Sequence, residues 1–368
     1  MTGRRISIVL PDLRGGGAER VSVDLAKSLD VCGYESEFVL MSATGEFLEE
    51  AQARFSVTGL GVQKIRDAIL PLSRYLRARR PAAVIANMWP LTSATVAARM
   101  LSRHHCPLLL VEHCALSRHY ATWGRWHSLM MRGTMTATYR HAGRVAAVSE
   151  GVALDIARLA GLKPRDVTVL HNPIPSRPAP SEPERSAAEA MWKCPTGARI
   201  LCVGSLKDQK NHRVLLQAFS RLARLDARLL LLGQGDNEGM LRALASELSV
   251  ADRVVFAGFH TDPSSFYLTA DLLVLSSDYE GLPTVLIESL SFGLPIVSTD
   301  CPSGPAEILE NGKWGRLVPV GDARALASAM EEALAAPVDR EALKRRAADF
   351  APDIAAQKYL SLLGLRTR

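Results

Sequence analysis

The sequence predicts an α/β fold of two doubly wound domains, each a parallel sheet with helices on both faces. Three observations indicate this fold. The chain has 368 residues, which exceeds one typical domain and suffices for two separate cores. Short apolar runs alternate with segments of helical spacing along the whole chain. A proline-rich stretch interrupts that alternation near the middle, where we expect one domain to end.

Six apolar runs predict the strands of the first domain, residues 1–172. Each run is apolar along its length, as in strands that helices cover on both faces. Segments with helical spacing lie between them, for example 18–30 and 91–103. The predicted strands are ISIVL (6–10), EFVL (37–40), AVIAN (83–87), LLLVE (108–112), RVAAVS (144–149) and VTVLHN (167–172).

The stretch NPIPSRPAPSEPERS (172–186) contains five prolines in fifteen residues and predicts a linker over residues 173–190. The alternation then resumes and predicts a second domain over 191–345. The remaining residues, 346–368, belong to a helical pattern that we expect to pack back on the first domain. The strands expected in the second domain are RILCVGS (199–205), RLLLLGQG (228–235), RVVFAGF (253–259), DLLVLSS (271–277), LPIVSTD (294–300) and GRLVPVG (315–321).

Composition and charge limit the class of protein. A hydrophobic content of 48% with 22% charged residues excludes a disordered chain. The net charge of +6 favours an anionic partner, but does not separate a nucleotide from a membrane surface. The six cysteines form no C-x-x-C pair, which argues against a zinc site and favours a reducing cytoplasm. No apolar run approaches the roughly 18 residues that cross a bilayer, so we expect a soluble protein or a peripheral one.

Ligands of doubly wound sheets bind at the carboxyl ends of strands, so the loops that follow the strands are the candidate sites. After the first strand come Gly15, Gly16 and Gly17, whose backbone can approach a ligand closely and direct N–H groups at it. Arg20 stands at the third glycine position of the G-x-G-x-x-G pattern, so a nicotinamide site is not indicated. A flexible strand-to-helix turn is the alternative for this loop.

Other loops contain single candidates. His113 follows the strand 108–112; a lone histidine is as readily a structural hydrogen-bonding group as a catalytic one. Lys207 and Lys210 follow a Gly-Ser turn and precede a helix, where a lysine can meet phosphate oxygens. A solvated lysine is the alternative there. Phe259, after the run ending in Gly258, is a candidate to contact a base through its backbone.

The stretch EGLPTVLIESLSFGLPIVS places Glu280 and Glu288 on either side of a Gly-Pro turn. Pro283 and Thr284 predict a helix start, whose unpaired N–H groups form an anion site. Carboxylates accept hydrogen bonds from diols and repel phosphate. The order acid, anion site, acid therefore matches the sugar, diphosphate and ribose of a nucleotide-sugar.

Two other readings of these acids are weaker. A metal site requires clustered carboxylates, and Asp278 with Glu280 is the nearest approach, without a third ligand close in sequence. A hydrolase pair would face each other across a sugar, and the intervening anion site would then have no purpose.

Several of these segments together resemble one family, the retaining GT-B glycosyltransferases of the large group 1 family, which includes glycogen synthase-like and phosphatidylinositol mannosyltransferase-like enzymes. The E-x7-E signature stands at Glu280 and Glu288. The segments GGGAER, LLLVEH, VAAVSEGV, VLHNPI and VGSLKDQKN match in the same order, so the resemblance spans most of the chain. It implies two Rossmann-like domains that face a cleft.

The resemblance also implies roles for single residues. Glu280 would lie beside the donor sugar, Lys210 would neutralise the leaving diphosphate, and His113 would contact the transferred sugar; these three are the predicted catalytic residues. The predicted donor-binding residues are Gly16, Gly17, Ser205, Lys207, Phe259, Gly281, Leu282, Pro283, Thr284 and Glu288, the last of which would hold the ribose. Members of the family generally retain the anomeric configuration and bind no metal, so no cofactor is expected.

One position departs from the family. Many members have Gly-Arg-Leu where this chain has Gly204-Ser205-Leu206, so the arginine of the usual Arg/Lys phosphate pair is absent. Lys207 is the candidate to replace it. Otherwise the charge at the leaving group is compensated more weakly than usual.

Residues 114–149 contain no Asp or Glu but several arginines and tryptophans. A basic, aromatic-bearing segment is what an interfacial element on anionic lipid requires. We therefore expect Arg118, Trp123, Arg125 and Trp126 on the side of the acceptor or membrane. A basic solvated face that covers core methionines is the alternative.

The combined expectation is a retaining transferase that moves a hexosyl or N-acetylhexosaminyl group. The donor would be a nucleotide-diphospho-sugar, with UDP as the favoured nucleotide, and the acceptor a hydroxyl of a glycan or lipid-linked molecule in envelope or surface polysaccharide synthesis. No nucleic acid partner is expected. The alternatives are a nucleotide-sugar epimerase or hydrolase on the same fold, and a non-catalytic sugar-nucleotide-binding module.

Overall fold

The structure is a computed structural model that describes residues 4–175, 177–193 and 196–366. Its contacts divide the chain into two compact units. The first comprises Met1–Pro175 and Phe350–Arg368, and the second comprises Ser176–Asp349. Within the described residues, no helix is both long and apolar enough to cross a membrane.

The first unit is built on a seven-stranded parallel sheet in the order β3-β2-β1-β4-β5-β6-β7. Its strands are β1 (Arg5–Leu10), β2 (Glu35–Leu40), β3 (Ser56–Gly59), β4 (Ala83–Asn87), β5 (Leu108–Glu112), β6 (Arg144–Ala147) and β7 (Val167–Val169). Its helices before the connection are α1 (Gly17–Val31), α2 (Leu48–Gln52), α3 (Ile65–Arg79), α4 (Leu91–Ser102), α5 (Leu116–His119), α6 (Gly124–Thr138) and α7 (Glu150–Ala160).

The second unit is built on a six-stranded parallel sheet in the order β10-β9-β8-β11-β12-β13. Its strands are β8 (Arg199–Val203), β9 (Arg228–Leu232), β10 (Val254–Gly258), β11 (Leu272–Leu275), β12 (Ile296–Thr299) and β13 (Arg316–Val318). Its helices are α8 (Glu182–Trp192), α9 (His212–Phe219), α10 (Glu238–Glu247), α11 (Ser264–Thr269), α12 (Thr284–Ser291), α13 (Pro305–Ile308), α14 (Ala323–Ala335) and α15 (Arg340–Ala348). The last helix of the chain is α16 (Pro352–Leu362).

The predicted fold class is confirmed, since every apolar run that predicted a strand contains one. The sequence failed to predict β3, an edge strand of four residues. Its residues are exposed or half-buried, so the run SVTG lacks the continuous apolar character that marks the other strands.

The predicted linker 173–190 contains most of helix α8. Four of its five prolines precede Ser181, where the helix is capped, and Pro183 lies in the first turn, where a missing N–H costs little. The Ser181 backbone N–H donates to Glu184 Oε2 at 2.7 Å in a capping box. The linker residue Ser176 lies outside the described residues.

The long C-terminal helical pattern is two helices. It breaks after α15, and Pro352 begins α16, which belongs to the first unit and packs against α1. Phe350, between the helices, is buried, and its carbonyl accepts the N–H of Ile174 at 3.0 Å. The end of the chain is thus fixed to the segment that follows β7.

Candidate functional site

In the second sheet, β8 and β11 lie side by side, and the connections that follow them run toward opposite edges of the sheet. Parallel sheets bind ligands outside the carboxyl ends of such a pair of strands. Two loops leave these ends, 204–211 after β8 and 276–283 after β11. They contain seven of the predicted residues: Ser205, Lys207, Lys210, Glu280, Gly281, Leu282 and Pro283.

Hydrogen bonds join the two loops to each other. The Asp278 N–H donates to the Gln209 carbonyl at 2.9 Å, and the Ser276 hydroxyl donates to the Lys210 carbonyl at 2.8 Å. The Asn211 side-chain amide donates to Asp278 Oδ1 at 2.7 Å. Because each loop is held by the other, the two side chains that they present have a defined separation.

Those side chains are Lys210 and Glu280. Lys210 Nζ donates to Glu280 Oε1 at 2.7 Å, and the hydroxyl of Ser277 donates to the same oxygen at 2.5 Å. Glu280 is only 5% exposed. A carboxylate at that depth requires partners to offset its lost hydration, and a cation and a hydroxyl provide them. Two of the three predicted catalytic residues are therefore brought into direct contact.

A glycine allows Lys210 to approach the end of β8. Gly204 has a φ of +155°, and a Cβ atom there would lie 3.3 Å from Lys210 Cε. Its carbonyl is in turn approached by Gly233, where a Cβ would come within 2.0 Å of that oxygen. A side chain at residue 204 would thus crowd Lys210, and one at residue 233 would push apart the ends of β8 and β9.

Helix α12 begins at Thr284, as the sequence predicts, and it has no acidic residue in its first turn and no side-chain cap. The first N–H groups of a helix lack intrahelical acceptors and attract anions. Gly281, Leu282 and Pro283 are buried and Thr284 is half-buried. Pro283 carries no N–H, so its contribution to an anion site is to fix the start of the helix rather than to donate a bond.

The segment after β12 supports this turn from behind. The Ser303 hydroxyl donates to the Glu280 carbonyl at 3.0 Å. Gly304 has a φ of +96°, and a Cβ there would lie 2.4 Å from Pro283 Cδ. The start of α12 is therefore packed so closely that its position depends on residue 304.

Glu288 lies one turn further along α12 and is mostly buried. Its Oε2 accepts the Tyr267 hydroxyl at 2.9 Å, and Arg177 Nη2 lies 3.8 Å from Oε1. Burial and the nearby carboxylate raise the pKa of Tyr267 well above its usual value, so this phenol stays a neutral donor. Arg177 also pairs with Asp262 at 3.2 Å. The sequence did not indicate Tyr267 or Arg177, because neither belongs to a recognisable pattern.

The other predicted residues of the second unit are less closely connected to Lys210 and Glu280. Lys207 is exposed and Ser205 is half-buried, on either side of the buried Leu206. Their expected roles stay predictions. Phe259 follows β10 at the edge of the sheet, and β9 separates that strand from β8. Its backbone contact with a base also stays a prediction.

In the first unit, β1 and β4 form the corresponding strand pair, and the glycine loop follows β1. The Gly15 N–H donates to Glu46 Oε2 at 2.7 Å and the Gly16 N–H to the Arg14 carbonyl at 2.7 Å. Gly17 begins α1. Two of the three glycine amides thus already have acceptors within the chain, which limits what this loop can donate to a ligand.

His113 lies at the end of β5 beside Asn87, which ends β4. Asn87 donates its amide to the Val9 carbonyl at 3.3 Å, so Oδ1 faces His113 Nε2 at 2.9 Å and accepts its hydrogen. The buried Nδ1 then carries a lone pair, and it has no hydrogen-bond partner within the described residues. Burial lowers the pKa of His113 to about 4, so the ring is neutral near pH 7.

Glu112, the residue before His113, was not predicted to belong to the site. Its carboxylate is fully buried and accepts the Tyr139 hydroxyl at 2.5 Å, the Thr92 hydroxyl at 3.0 Å and the Trp89 N–H at 3.0 Å. Burial raises the pKa of Glu112 to about 7. The only signal in the sequence was an acid that ends an otherwise apolar strand.

Of the four residues expected on the acceptor or membrane side, Arg118 lies in α5, Trp123 precedes α6, and Arg125 and Trp126 lie in the first turn of α6. Arg118 and Arg125 are exposed. Trp123 is 63% exposed and Trp126 is 86% exposed, and Leu129 and Met130 are also mostly exposed. The opposite face of the helix buries Met131 and Met135, as the alternative reading of a basic face over core methionines also requires. An apolar surface beside arginines nevertheless remains.

Family comparisons cover both units. The family described as “Glycosyl transferases group 1” matches residues 193–350. The family described as “Glycosyltransferase Family 4” matches residues 15–177.

Individual relatives and solved structures agree with these matches. The N-acetylgalactosamine-N,N'-diacetylbacillosaminyl-diphospho-undecaprenol 4-alpha-N-acetylgalactosaminyltransferase of Campylobacter jejuni is 25% identical over 359 residues, 94% of each chain. The lipopolysaccharide 1,6-galactosyltransferase of Escherichia coli is 29% identical over 205 residues, 53% of each chain. The crystal structure of Anabaena HepE in complex with UDP-glucose has a TM-score of 0.86 at 19% identity, covering 98% of this chain and 99% of HepE. Retention of configuration stays a prediction, whereas the family and the fold are confirmed: the chain belongs to the group 1 glycosyltransferases and has their GT-B fold of two Rossmann-like units.

Proposed function

We propose that this glycosyltransferase takes its sugar from a nucleotide-diphospho-sugar, with UDP as the nucleotide, and transfers it with retention of configuration. One observation carries the proposal. A buried carboxylate and a lysine, Glu280 and Lys210, are held in contact beside the start of α12, and a second carboxylate, Glu288, follows one turn later. This arrangement has an anion site between two acceptors of hydroxyl groups.

The chemistry follows from the charges. Breaking the bond between sugar and phosphate develops negative charge on the diphosphate, and preorganised positive groups at that place lower the barrier. Lys210 and the N-terminus of α12 are those groups, so we propose that transfer needs no bound metal ion. Glu280 contacts the donor sugar and Glu288 the ribose. Retention is proposed through attack by the acceptor hydroxyl on the face that the leaving group departs from.

The proposed acceptor is a hydroxyl of a glycan or lipid-linked molecule in surface polysaccharide synthesis, and the transferred group is a hexosyl or N-acetylhexosaminyl group. The name of the Campylobacter relative, which includes diphospho-undecaprenol, supports an acceptor at the membrane. His113 is proposed to contact the transferred sugar. The Anabaena structure with UDP-glucose supports UDP in the donor.

Thermal shifts with UDP-, GDP- and ADP-sugars test the donor, because a ligand that binds the native state raises the melting temperature. We expect the largest rise in melting temperature with a UDP-sugar. This rise should not require added metal and should persist in EDTA. Transfer is then followed with the best donor, and the anomer of the first-formed product is assigned by proton NMR. An inverted product would contradict retention.

Two other outcomes identify the rival functions. Consumption of donor without a glycosylated acceptor indicates an epimerase or a hydrolase. Binding without any turnover, unchanged in Glu280→Ala, indicates a sugar-nucleotide-binding module.

We also propose that α6 rests on an anionic membrane surface on the cytoplasmic side. The exposed side chains of Trp126 and Leu129 provide apolar area, and the arginines around them favour anionic lipid. In flotation with liposomes, we expect the protein to rise with anionic vesicles and stay behind with neutral ones. Trp126→Ser should reduce the floating fraction. Leu225→Ser, which also replaces an exposed apolar side chain by serine, at a residue 75% exposed in the second unit, should not.

Protein that stays at the bottom of the gradient with anionic vesicles would overturn this part of the proposal. Equal losses in both variants would show that α6 has no special role.

A further inference from the structure

Ser277 is fully buried at the end of β11, three residues before Glu280. Its hydroxyl donates to Glu280 Oε1 at 2.5 Å. Its own carbonyl accepts the Thr299 hydroxyl at 2.6 Å, which ties it to β12. Ser277 therefore links the Glu280 carboxylate to β12, and it has no surface through which to meet a ligand directly.

Both hydrogen bonds to the Glu280 carboxylate go to the same oxygen. Lys210 Nζ and the Ser277 hydroxyl reach Oε1. Within the parts of the chain that the structure describes, no hydrogen bond to Oε2 is present. The carboxylate is thus held by one oxygen, and the other is the one that a ligand can use.

The two partners of Oε1 differ in what a bound donor does to them. A diphosphate attracts the Lys210 ammonium, which is a flexible point charge, and draws it away from the carboxylate. A carboxylate as buried as Glu280 is costly without a partner. Ser277 is buried and its carbonyl is held by the Thr299 hydroxyl of β12, so its own hydroxyl stays in place when the lysine moves.

We propose that Ser277 is a positioning residue for sugar transfer: it holds Oε1 of Glu280 while Lys210 turns to the diphosphate, so that Oε2 is presented to the donor sugar. This inference rests on the proposed function of the site, and it concerns only the sugar end of the donor. It predicts a defect in the step that involves the sugar, with little effect on the nucleotide.

The test compares Ser277→Ala with wild type in steady-state transfer and in binding of UDP and of the UDP-sugar. We expect kcat to fall about ten- to hundred-fold, the range that one hydrogen bond to a charged group can produce. The affinity for UDP should be unchanged, while the additional affinity that the sugar provides should be reduced. Ser277→Thr, which keeps the hydroxyl, should be more active than Ser277→Ala. It should also be more active than Ser277→Cys, which keeps roughly the size of serine but replaces the hydroxyl by a thiol.

Ser298→Ala is the matched control, because Ser298 is also fully buried and its hydroxyl bonds only to the adjacent Thr299 carbonyl, at 2.9 Å. It should transfer at nearly the wild-type rate, and thermal melting shows that each variant is folded. Wild-type kcat in Ser277→Ala, or an equal loss in Ser298→Ala, overturns the inference. So does a UDP affinity that falls together with kcat. Absence of transfer by wild type with every donor would instead contradict the proposed function.

Discussion

At the scale of single residues, the site depends on a pair of opposite charges that lie in direct contact. Lys210 contacts Glu280 at 2.7 Å, and both side chains are largely shielded from water. Such a pair contributes little net stability, because desolvation offsets the attraction. Its value lies in keeping a cation and a carboxylate together at the carboxyl ends of β8 and β11.

Lys210→Ala should lower kcat/KM for the donor about 10²- to 10³-fold, the usual effect of losing one charge-stabilising donor at a leaving group. Lys207→Ala is the matched comparison, since Lys207 stands three residues earlier on the same loop but is exposed. We expect it to lose much less activity in the same assay. An equal loss would show that Lys207 takes the place of the arginine that is absent at Ser205.

Much of this residue-level picture could be predicted, and the exceptions have physical reasons. Glu280, Lys210 and Glu288 stand in motifs at fixed distances from strand ends, which the sequence shows. Ser277 and Tyr267 were missed, because a buried serine or tyrosine leaves no periodic signal. Their importance arises from contacts between elements that are distant along the chain.

At the scale of elements, the start of α12 is the feature that the sequence predicted best. Pro283 and Thr284 are typical of a helix start, and the helix begins there. The sequence could not show what holds this start in place. Ser303 and Gly304 pack against it, although they follow the end of α12 and the whole of β12 in the sequence. Likewise α8 was not predicted, because it begins in a proline-rich stretch. The prolines predict a break more strongly than the capping box predicts a helix.

Gly304→Ala should displace the start of α12. A Cβ there would lie 2.4 Å from Pro283 Cδ, on a residue with a φ of +96°. Gly312→Ala is a matched control, because its φ is +98° but the nearest atom to the new Cβ is 3.6 Å away. Both variants share the backbone strain, and only the first overpacks. We expect Gly304→Ala to lower the free energy of unfolding by about 1–3 kcal/mol more than Gly312→Ala does. We also expect the rise in melting temperature with UDP-sugar to disappear in Gly304→Ala. Equal behaviour of the two would mean that packing at residue 304 does not position α12.

At the scale of the whole molecule, buried titratable groups in both units make stability depend on pH. Burial lowers the pKa of His113 in the first unit and of His212 in the second to about 4. Their contribution to stability is present above the unfolded pKa of about 6.5 and is lost as the pH falls toward 4. Glu112 acts in the opposite direction, because burial raises its pKa to about 7.

Glu112→Gln should therefore change the slope of stability against pH. In the folded chain Glu112 keeps its proton up to about pH 7, whereas the unfolded carboxyl releases it near 4.5. Its contribution is thus present below pH 4.5 and is lost as the pH rises through 7, a change of roughly 3 kcal/mol. This partly offsets the opposite change from the two histidines.

Urea unfolding from pH 4.5 to 8 should show a steeper gain in stability with pH for Glu112→Gln than for wild type. Only the slope is informative, since the substitution also changes stability by an amount that does not depend on pH. Parallel curves for the two proteins would show that Glu112 titrates normally and that its hydrogen bonds from Tyr139, Thr92 and Trp89 offset its burial.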